Sequence, residues 1–352
     1  MAFDVQALRQ KQPKKNMKTN KVIAGLLSCV SLLSAAWVLA ANDVEDKLTK
    51  SFEAKPGGIL VVEADRGSIE VKSADANQVE IEVFRKVSRE SQAKAEEILK
   101  NHEVKFSLNG NKVQVHAEFK RGLTGGGWWD KGRNLQVRYQ ILVPNQFNVN
   151  LKTAGGSIKV ADLIGEARGQ TAGGSLSFGQ MDGPIYGRTS GGGISVAGCK
   201  GGVDLETSGG SIHLGEVQGD TTARTSGGSI SLKKMNGKTA VSTSGGGIEA
   251  ADVRGSIDAS TAGGSITANI SEQPTGDCRL HTSGGSIKVS LAEKVAVDVD
   301  AKTSGGRVVI EVPVAAVVQG EHKPNVLRGK INGGGPALSL ETSGGSIYLQ
   351  KR

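Results

Sequence analysis

The stretch Thr207-Ser208-Gly209-Gly210-Ser211-Ile212, or TSGGSI, is a hexamer that recurs through the second half of the chain. The intervals between successive copies are six of 18 residues, then two of 21 and one of 39. A flexible linker has no reason to keep such a period, whereas a stack of equal structural units does. Copies of the form Thr-(Ser/Ala)-Gly-Gly begin at Thr153, Thr171, Thr189, Thr207, Thr225, Thr243, Thr261, Thr282, Thr303 and Thr342.

Apolar residues keep one register within each 18-residue unit, counted from its Thr as position 1. Position 6 is aliphatic, position 8 is mostly apolar, and positions 15 and 17 are small or apolar. Two such period-two pairs predict two short strands in each unit. Glycines at positions 3, 4 and 13 lie between the strands, where the chain must turn. We expect the glycine pairs at positions 3 and 4 to supply backbone torsions that side chains forbid and to let corners stack closely. The sequence therefore predicts an all-β parallel β-solenoid with coils of about 18 residues.

The end of the repeat array is irregular. Residues 303–341 leave room for about two coils without a clean motif between them, and Ile331–Pro336 is interpreted as a degenerate corner. A modified last coil is expected because the end of a parallel stack exposes unpaired strand edges.

Residues 43–150 do not share the repeat and are expected to cap or extend the N-terminal end of the solenoid, residues 151–352. Ser88–His102 is the one convincing helix here, since Ala95, Ile98, Leu99 and His102 share a face. Strands are predicted at Val61–Ala64, Gly67–Lys72, Val79–Val87, Val104–Leu108, Val113–Phe119 and Leu135–Val143.

The N-terminus combines a basic tail, residues 1–21, with the uncharged segment Val22–Ala41. The segment suits a signal peptide that starts at Met17, or a membrane anchor that keeps the tail in the cytoplasm. Both alternatives export everything after Asn42, to the periplasm or the cell surface. The net charge of +8 owes much to this tail, so basic charge is not concentrated on the folded part and nucleic-acid binding is not expected.

The repeats resemble those of the DUF4097 family of exported bacterial proteins, which are labelled adhesins. The similarity rests on the serial TSGGSI motif, the alternating strand Val137–Pro144 before the first repeat, and Ile331–Pro336 followed by the last repeat at Thr342. It covers roughly residues 55–352. The resemblance implies a right-handed parallel β-helix, and no catalytic residues come with it.

Catalysis requires polar side chains that converge, and the sequence offers no such cluster. The five histidines are scattered, so neither a metal nor another cofactor is expected. Asp162 and Asp252 share position 10, but the four units between them do not repeat an acid there. We therefore expect a non-catalytic structural or adhesion module whose partner is a surface glycan or an envelope protein. The alternative is a carbohydrate-active enzyme on the same scaffold.

Trp128 and Trp129, in a glycine-rich stretch, are the candidate ligand contacts, because indole rings stack on sugars. The other interpretation is that they cap the core. The Thr and Ser columns at positions 1, 2 and 5 are interpreted as groups that satisfy corner backbone atoms; a flat binding face is the alternative. Cys199 and Cys278 lie four coils apart, so no disulfide is expected between them.

Overall fold

Each unit of the repeat forms two strands, and these strands lie in two long sheets. The computed structural model describes residues 43–120, 134–311 and 322–352. These residues form 29 strands and one helix, α1 (Gln92–Asn101), and all of them fall within one compact unit, Ala41–Arg352.

Seven strands of the described chain precede the first repeat. They are β1 (Val44–Glu53), β2 (Gly58–Ala64), β3 (Ser68–Ala74), β4 (Gln78–Val87), β5 (His102–Asn109), β6 (Lys112–Phe119) and β7 (Leu135–Pro144). Among them, β5 and β6 form an antiparallel hairpin. The strands of the regular repeats are β8 (Phe147–Thr153), β9 (Ile158–Val160), β10 (Ala167–Thr171), β11 (Leu176–Met181), β12 (Ile185–Thr189), β13 (Ile194–Cys199), β14 (Val203–Thr207), β15 (Ile212–Val217), β16 (Thr221–Thr225), β17 (Ile230–Met235), β18 (Thr239–Thr243), β19 (Ile248–Val253), β20 (Ile257–Thr261), β21 (Ile266–Ile270), β22 (Cys278–Thr282) and β23 (Ile287–Leu291). The last strands are β24 (Val297–Thr303), β25 (Val308–Glu311), β26 (His322–Lys323), β27 (Val326–Ile331), β28 (Ala337–Thr342) and β29 (Ile347–Lys351).

The two sheets contain one strand each from every coil. Sheet 1 has the spatial order β1-β4-β7-β3-β9-β11-β13-β15-β17-β19-β21-β23-β29-β25, and sheet 2 has the order β26-β27-β24-β28-β22-β20-β18-β16-β14-β12-β10-β8-β2-β6-β5. Neighbouring coils of the repeat pair in parallel and, apart from one register shift between β19 and β21, in register, so Ile212 lies between Ile194 and Ile230. The predicted solenoid and its 18-residue register are thus confirmed, while its right-handed sense stays a prediction.

The core lies between the sheets and is built from the predicted inward positions. The position-6 side chains are fully or almost fully buried, and positions 8, 11, 15 and 17 alternate inward with them. Polar side chains lie at the outward positions of the same strands, as the two-residue period requires. Cys199 in sheet 1 and Cys278 in sheet 2 are both buried free thiols.

The glycine pairs serve the corners through close stacking and not through unusual torsions. None of these pairs has a positive φ, so the expected torsional role is wrong for them. At position 4, however, a Cβ on Gly210 would lie 2.2 Å from the carbonyl oxygen of Gly192 in the preceding coil. Consecutive corners therefore touch through their backbones, and only hydrogen fits between them.

The threonine at position 1 points inward and ties each corner to the preceding one. Thr225 Oγ1 donates to the carbonyl oxygen of Gly210 at 2.7 Å and accepts from the N–H of Gly228 at 3.3 Å. All ten threonines of the repeat donate in this way to a glycine carbonyl. The backbone-satisfying interpretation of the Thr column is confirmed, and its burial removes it from any flat binding face.

Replacing Thr225 by valine is expected to lower the free energy of unfolding by about 1–3 kcal/mol, because two backbone groups at the corner lose their partner. Denaturant unfolding measures the change. Thr222 on the same strand points outward, so Thr222→Val is the matched control and should cost about 0.5 kcal/mol or less. Equal losses of stability in the two variants would contradict the stabilising role of the threonine hydrogen bonds between corners.

The N-terminal region extends both sheets, and its coils do not follow the order of the chain. β2 and β3 form a coil that lies directly beside the coil of β8 and β9. β6 and β7, which come later in the chain, pair in parallel on the outer side of β2 and β3. Antiparallel strands then finish each sheet, with β4 and β1 beyond β7 and β5 beyond β6. Helix α1 begins at Gln92, after its N-cap Ser91, and ends at Asn101, so it is shorter than the predicted segment at both ends and His102 is the first residue of β5.

The C-terminal coil lies inside the stack. β28 pairs with β22 on one side and β24 on the other, and β29 lies between β23 and β25. The expectation of about two coils in residues 303–341 is wrong, because β26 and β27 are antiparallel strands and form no coil of the stack. β27 runs antiparallel to β24 and covers it, and Ile331–Pro336 is a turn with positive φ at Asn332, Gly333 and Gly334. The coil that comes first in the described chain (β2 and β3) and the coil that comes last (β28 and β29) therefore each lie between two other layers of the stack.

Candidate functional site

A groove opens on sheet 2 where the N-terminal coils meet the first repeats. Its volume is about 440 Å³. The parallel pairing places His116, Glu63, Lys152 and Gln170 side by side on four adjacent strands, at outward positions. The same row continues along the sheet with Arg188, Glu206 and Arg224. The groove therefore lies at the N-terminal end of a long row of outward polar side chains that crosses the strands of sheet 2. We call this row the polar file.

The imidazole of His116 lies between two carboxylates of this groove. Its Nδ1 is 3.5 Å from Glu63 Oε2, and its Nε2 is 3.6 Å from Glu118 Oε1. The His116 side chain is 46% exposed and the two glutamates are 60% and 56% exposed. Because water screens pairs of this kind, they contribute little to stability and stay available to a ligand.

Behind the groove, a polar cluster closes the N-terminal end of the core. Asp65 accepts the N–H of Phe119 at 3.2 Å, and its other oxygen lies 3.4 Å from Nε2 of the fully buried His102. Neither of the two atoms at that second contact, Asp65 Oδ1 and His102 Nε2, has a hydrogen-bond partner within the described residues. The hydroxyl of Tyr139 is also buried and has no hydrogen-bond partner within the described residues.

Arg85 joins three elements around this cluster. Its Nε donates to Asp46 of β1 at 2.9 Å, and its Nη1 donates to the carbonyl oxygens of Leu99 and His102 at 2.9 and 2.7 Å. A guanidinium that satisfies the last carbonyls of a helix also complements the helix dipole. Arg85 therefore fixes α1 against sheet 1, and its role is structural.

Burial and charge shift two ionisable groups of the cluster. Burial raises the pKa of Asp65, but the contact with His102 and the charge of Arg66 outweigh it and hold that pKa below its ordinary value. Burial, and then the charge of Asp65, raise the pKa of Tyr139. The carboxylate of Asp65 is thus kept ionised and the phenol of Tyr139 is kept neutral.

The Asp65 shift predicts an acid-sensitive N-terminal end. Because the folded-state pKa is depressed, the stabilisation is present above the ordinary pKa and is lost as the pH falls through the folded value, below about pH 4. Asp65→Asn should therefore lower stability at neutral pH and flatten the loss of Tm on acidification. The exposed Asp258 offers the control substitution Asp258→Asn, and an equally flat profile there would contradict the assignment.

The residues singled out from the sequence meet different outcomes. Trp128 and Trp129 lie outside the described residues; their described flanks are Lys120, whose N–H donates to Asn101 O at 2.8 Å, and Asn134, which donates to Glu90 at 2.8 Å. His213, one of the five scattered histidines, lies on the outer face between Ser195 and Ser231. Asp65 and Tyr139 were missed, and His102 was assigned only to a helix face, because no sequence pattern indicates that their elements meet.

Two features are absent from the described part of the chain. Within residues 43–120, 134–311 and 322–352, no group of three or more His, Cys, Asp or Glu side chains is placed to hold a metal ion. No helix in those ranges is long and apolar enough to cross a membrane. Val22–Ala41 lies outside them.

Comparison with known proteins agrees with this architecture. The family model described as Toastrack DUF4097 matches residues 59–350, and no curated protein matches the chain. Similar solved structures include a "putative cell adhesion protein" from Clostridium sporogenes (12% identity, 88% of this chain and 100% of that chain, TM-score 0.23). Others are a "putative adhesin" from Bacteroides fragilis (12%, 87% and 97%, 0.35) and a "putative lipid binding protein" from Parabacteroides distasonis (11%, 87% and 97%, 0.36). At such identities and TM-scores, these names describe only those proteins.

Proposed function

Because this chain belongs to the Toastrack DUF4097 family, we propose that it is an exported, non-catalytic module of the cell envelope that binds a surface glycan or an envelope protein. The observation that carries the proposal is the N-terminal groove on sheet 2. It is the concave place where His116, Glu63 and Lys152 form an exposed, mixed-charge surface. The threonine and glycine columns, in contrast, are used for stacking.

Export is proposed from the order of the N-terminal segments. A basic tail followed by an uncharged stretch of twenty residues, Val22–Ala41, directs the downstream chain across the inner membrane. The folded unit would then lie in the periplasm or at the cell surface, and it would remain tethered to the membrane if that stretch is not cleaved. Mass spectrometry of the mature protein tests this alternative. A mass that includes Val22–Ala41, found in the membrane fraction, indicates a tether, and a mass without this segment indicates cleavage.

The competing function is a carbohydrate-active enzyme, which could use Glu63, Glu118 or the partly buried Asp65, whose carboxylate is kept ionised. A glycosidase needs one carboxyl group that stays protonated, which is normally achieved by burial. Both glutamates are more than half exposed beside His116. The groove therefore suits binding better than acid catalysis.

A screen of residues 41–352 against glycans and envelope proteins tests the proposal. We expect saturable binding of a partner that is recovered unchanged, and weaker binding by His116→Ala. The matched control is His281→Ala, because His281 lies beside Glu341 at 3.7 Å near the other end of the polar file. Cleavage of a bound glycan would support the enzyme instead, and equal losses in both variants would place the partner elsewhere.

A further inference from the structure

A second concave surface lies on the outer face of sheet 1, at the N-terminal end. Its volume is about 560 Å³. The register places Lys47 opposite Phe84, Phe84 opposite Arg138, and Arg138 opposite Ser68. These four side chains therefore form a single row across β1, β4, β7 and β3, which we call the aromatic row.

Arg138 is the cation of this row that lacks a counter-ion among the described residues. Lys47 lies 2.8 Å from Glu82, and Lys86 lies 2.7 Å from Asp43 and 3.0 Å from Glu45. Arg138 is exposed. Its guanidinium offers a planar pair of donors, which matches the geometry of a carboxylate.

Phe84 gives the row an apolar centre between two cations. Its side chain is half-buried, and Lys47 Nζ lies 5.0 Å from the ring centroid. Lys47 and Arg138 are two strands apart, or about 10 Å at the spacing of neighbouring strands. That span fits one or two sugar rings lying over the aromatic ring.

We infer that the aromatic row binds an anionic saccharide, with a sugar carboxylate on Arg138 and the C–H face of a sugar ring on Phe84. Gln136 lines the same cleft and offers donors and an acceptor to hydroxyl groups, and Glu45 offers acceptors. Lys47 can exchange its exposed partner Glu82 for a second anionic group, because such surface pairs are weak.

The alternation of charges favours a saccharide over an anionic membrane surface. Membrane surfaces select clusters of four or more basic residues. Here three carboxylates, Asp43, Glu45 and Glu82, are paired with the two lysines Lys47 and Lys86, so among the described residues Arg138 is the one cation of this surface without an ion pair. A ligand with separate anionic and hydroxyl groups fits this pattern.

The inference rests on the proposed binding role but concerns a different face from the groove of His116. The test uses the full chain in detergent and measures its affinity for oligogalacturonate, a chain of carboxylated sugars, beside neutral maltooligosaccharide. We expect oligogalacturonate to bind and maltooligosaccharide not to bind. Arg138→Gln should weaken oligogalacturonate binding about 10-fold or more, as loss of a charged hydrogen bond does.

The matched control is Arg224→Gln, which removes the same charge from an exposed position on sheet 2. It should leave the affinity unchanged within about twofold, as expected of a surface change outside the site. Equal weakening by the two variants would show unspecific attraction and overturn the inference. Absence of oligogalacturonate binding, or binding only to vesicles that contain phosphatidylglycerol, would overturn it as well. If oligogalacturonate does not bind but a partner from the screen binds more weakly to His116→Ala, the proposed function stands and only this inference fails.

Discussion

Replacing Gly228 with alanine is expected to cost the solenoid about 3 kcal/mol or more of unfolding free energy, at the upper end of what overpacking costs. A Cβ at this position would lie 2.1 Å from the carbonyl oxygen of Gly210 and 2.4 Å from its carbonyl carbon. Both atoms are backbone, and Thr225 already holds that carbonyl in a hydrogen bond. The clash therefore cannot be relieved by rotating a side chain, and the two coils must separate locally.

The adjacent glycine provides the control. A Cβ on Gly227 would come no closer than 3.2 Å to the carbonyl oxygen of Gly209, and Gly227 has no positive φ. Gly227→Ala should therefore cost about 1 kcal/mol or less. Denaturant unfolding of both variants measures the difference, and similar losses would mean that the corners do not stack as closely as described.

Removing residues 337–352 is expected to abolish the cooperative fold of the C-terminal third. This segment contains β28 and β29, which lie between β22 and β24 in sheet 2 and between β23 and β25 in sheet 1. Its loss would open a gap of one coil inside the stack and leave inward side chains such as Leu340 and Leu349 without replacement. The truncated protein should aggregate or show a much lower Tm, because the gap exposes strand edges and apolar side chains to water.

A coil that simply ended the stack would behave differently. Its removal would expose one new sheet edge and leave the remaining coils folded, since solenoid units contact only their neighbours. Thermal unfolding followed by circular dichroism separates the two cases. A truncated chain that keeps the transition of the full-length protein would contradict the inserted position of this coil.

The regular coils could be predicted because their signals are local. The 18-residue period, the inward Ile212 and the position-13 glycines each depend on strand alternation and close turns within one unit. For the glycine pairs, the predicted close stacking is confirmed and the predicted torsional role is wrong. The sequence shows that a side chain is absent at these positions, but it does not show which contact excludes the side chain. The short approach of Gly210 to Gly192 depends on the neighbouring coil.

The spatial order of the end coils could not be predicted, because it depends on contacts between distant segments. Two signals existed. Gly67-Ser68-Ile69 repeats the end of the hexamer and marks the first coil, and the 39-residue gap before Thr342 marks the excursion of β27. Neither signal indicates which coil a strand joins.

The candidate site was beyond sequence-based prediction for the same reason. Glu63 and His116 are 53 positions apart in the chain and become neighbours only when β2 pairs with β6. His102 was placed on the inward face of a helix, but its contact with Asp65 requires the fold. Trp128 and Trp129 stay predictions as ligand contacts.

The central claim is that the last TSGGSI coil lies between the coils of Thr282 and Thr303, and cysteine cross-linking tests it most directly. Lys288, Tyr348 and Val309 occupy the same register on β23, β29 and β25, in that spatial order. Neighbouring strands bring paired cysteines within reach of a disulfide, and a separation of two strands, about 10 Å, does not. Mass mapping after oxidation should find the 288–348 and 348–309 cross-links in the respective double-cysteine variants and none between 288 and 309. A 288–309 cross-link without the 288–348 cross-link would show coils stacked in chain order and contradict the inserted position of the last coil.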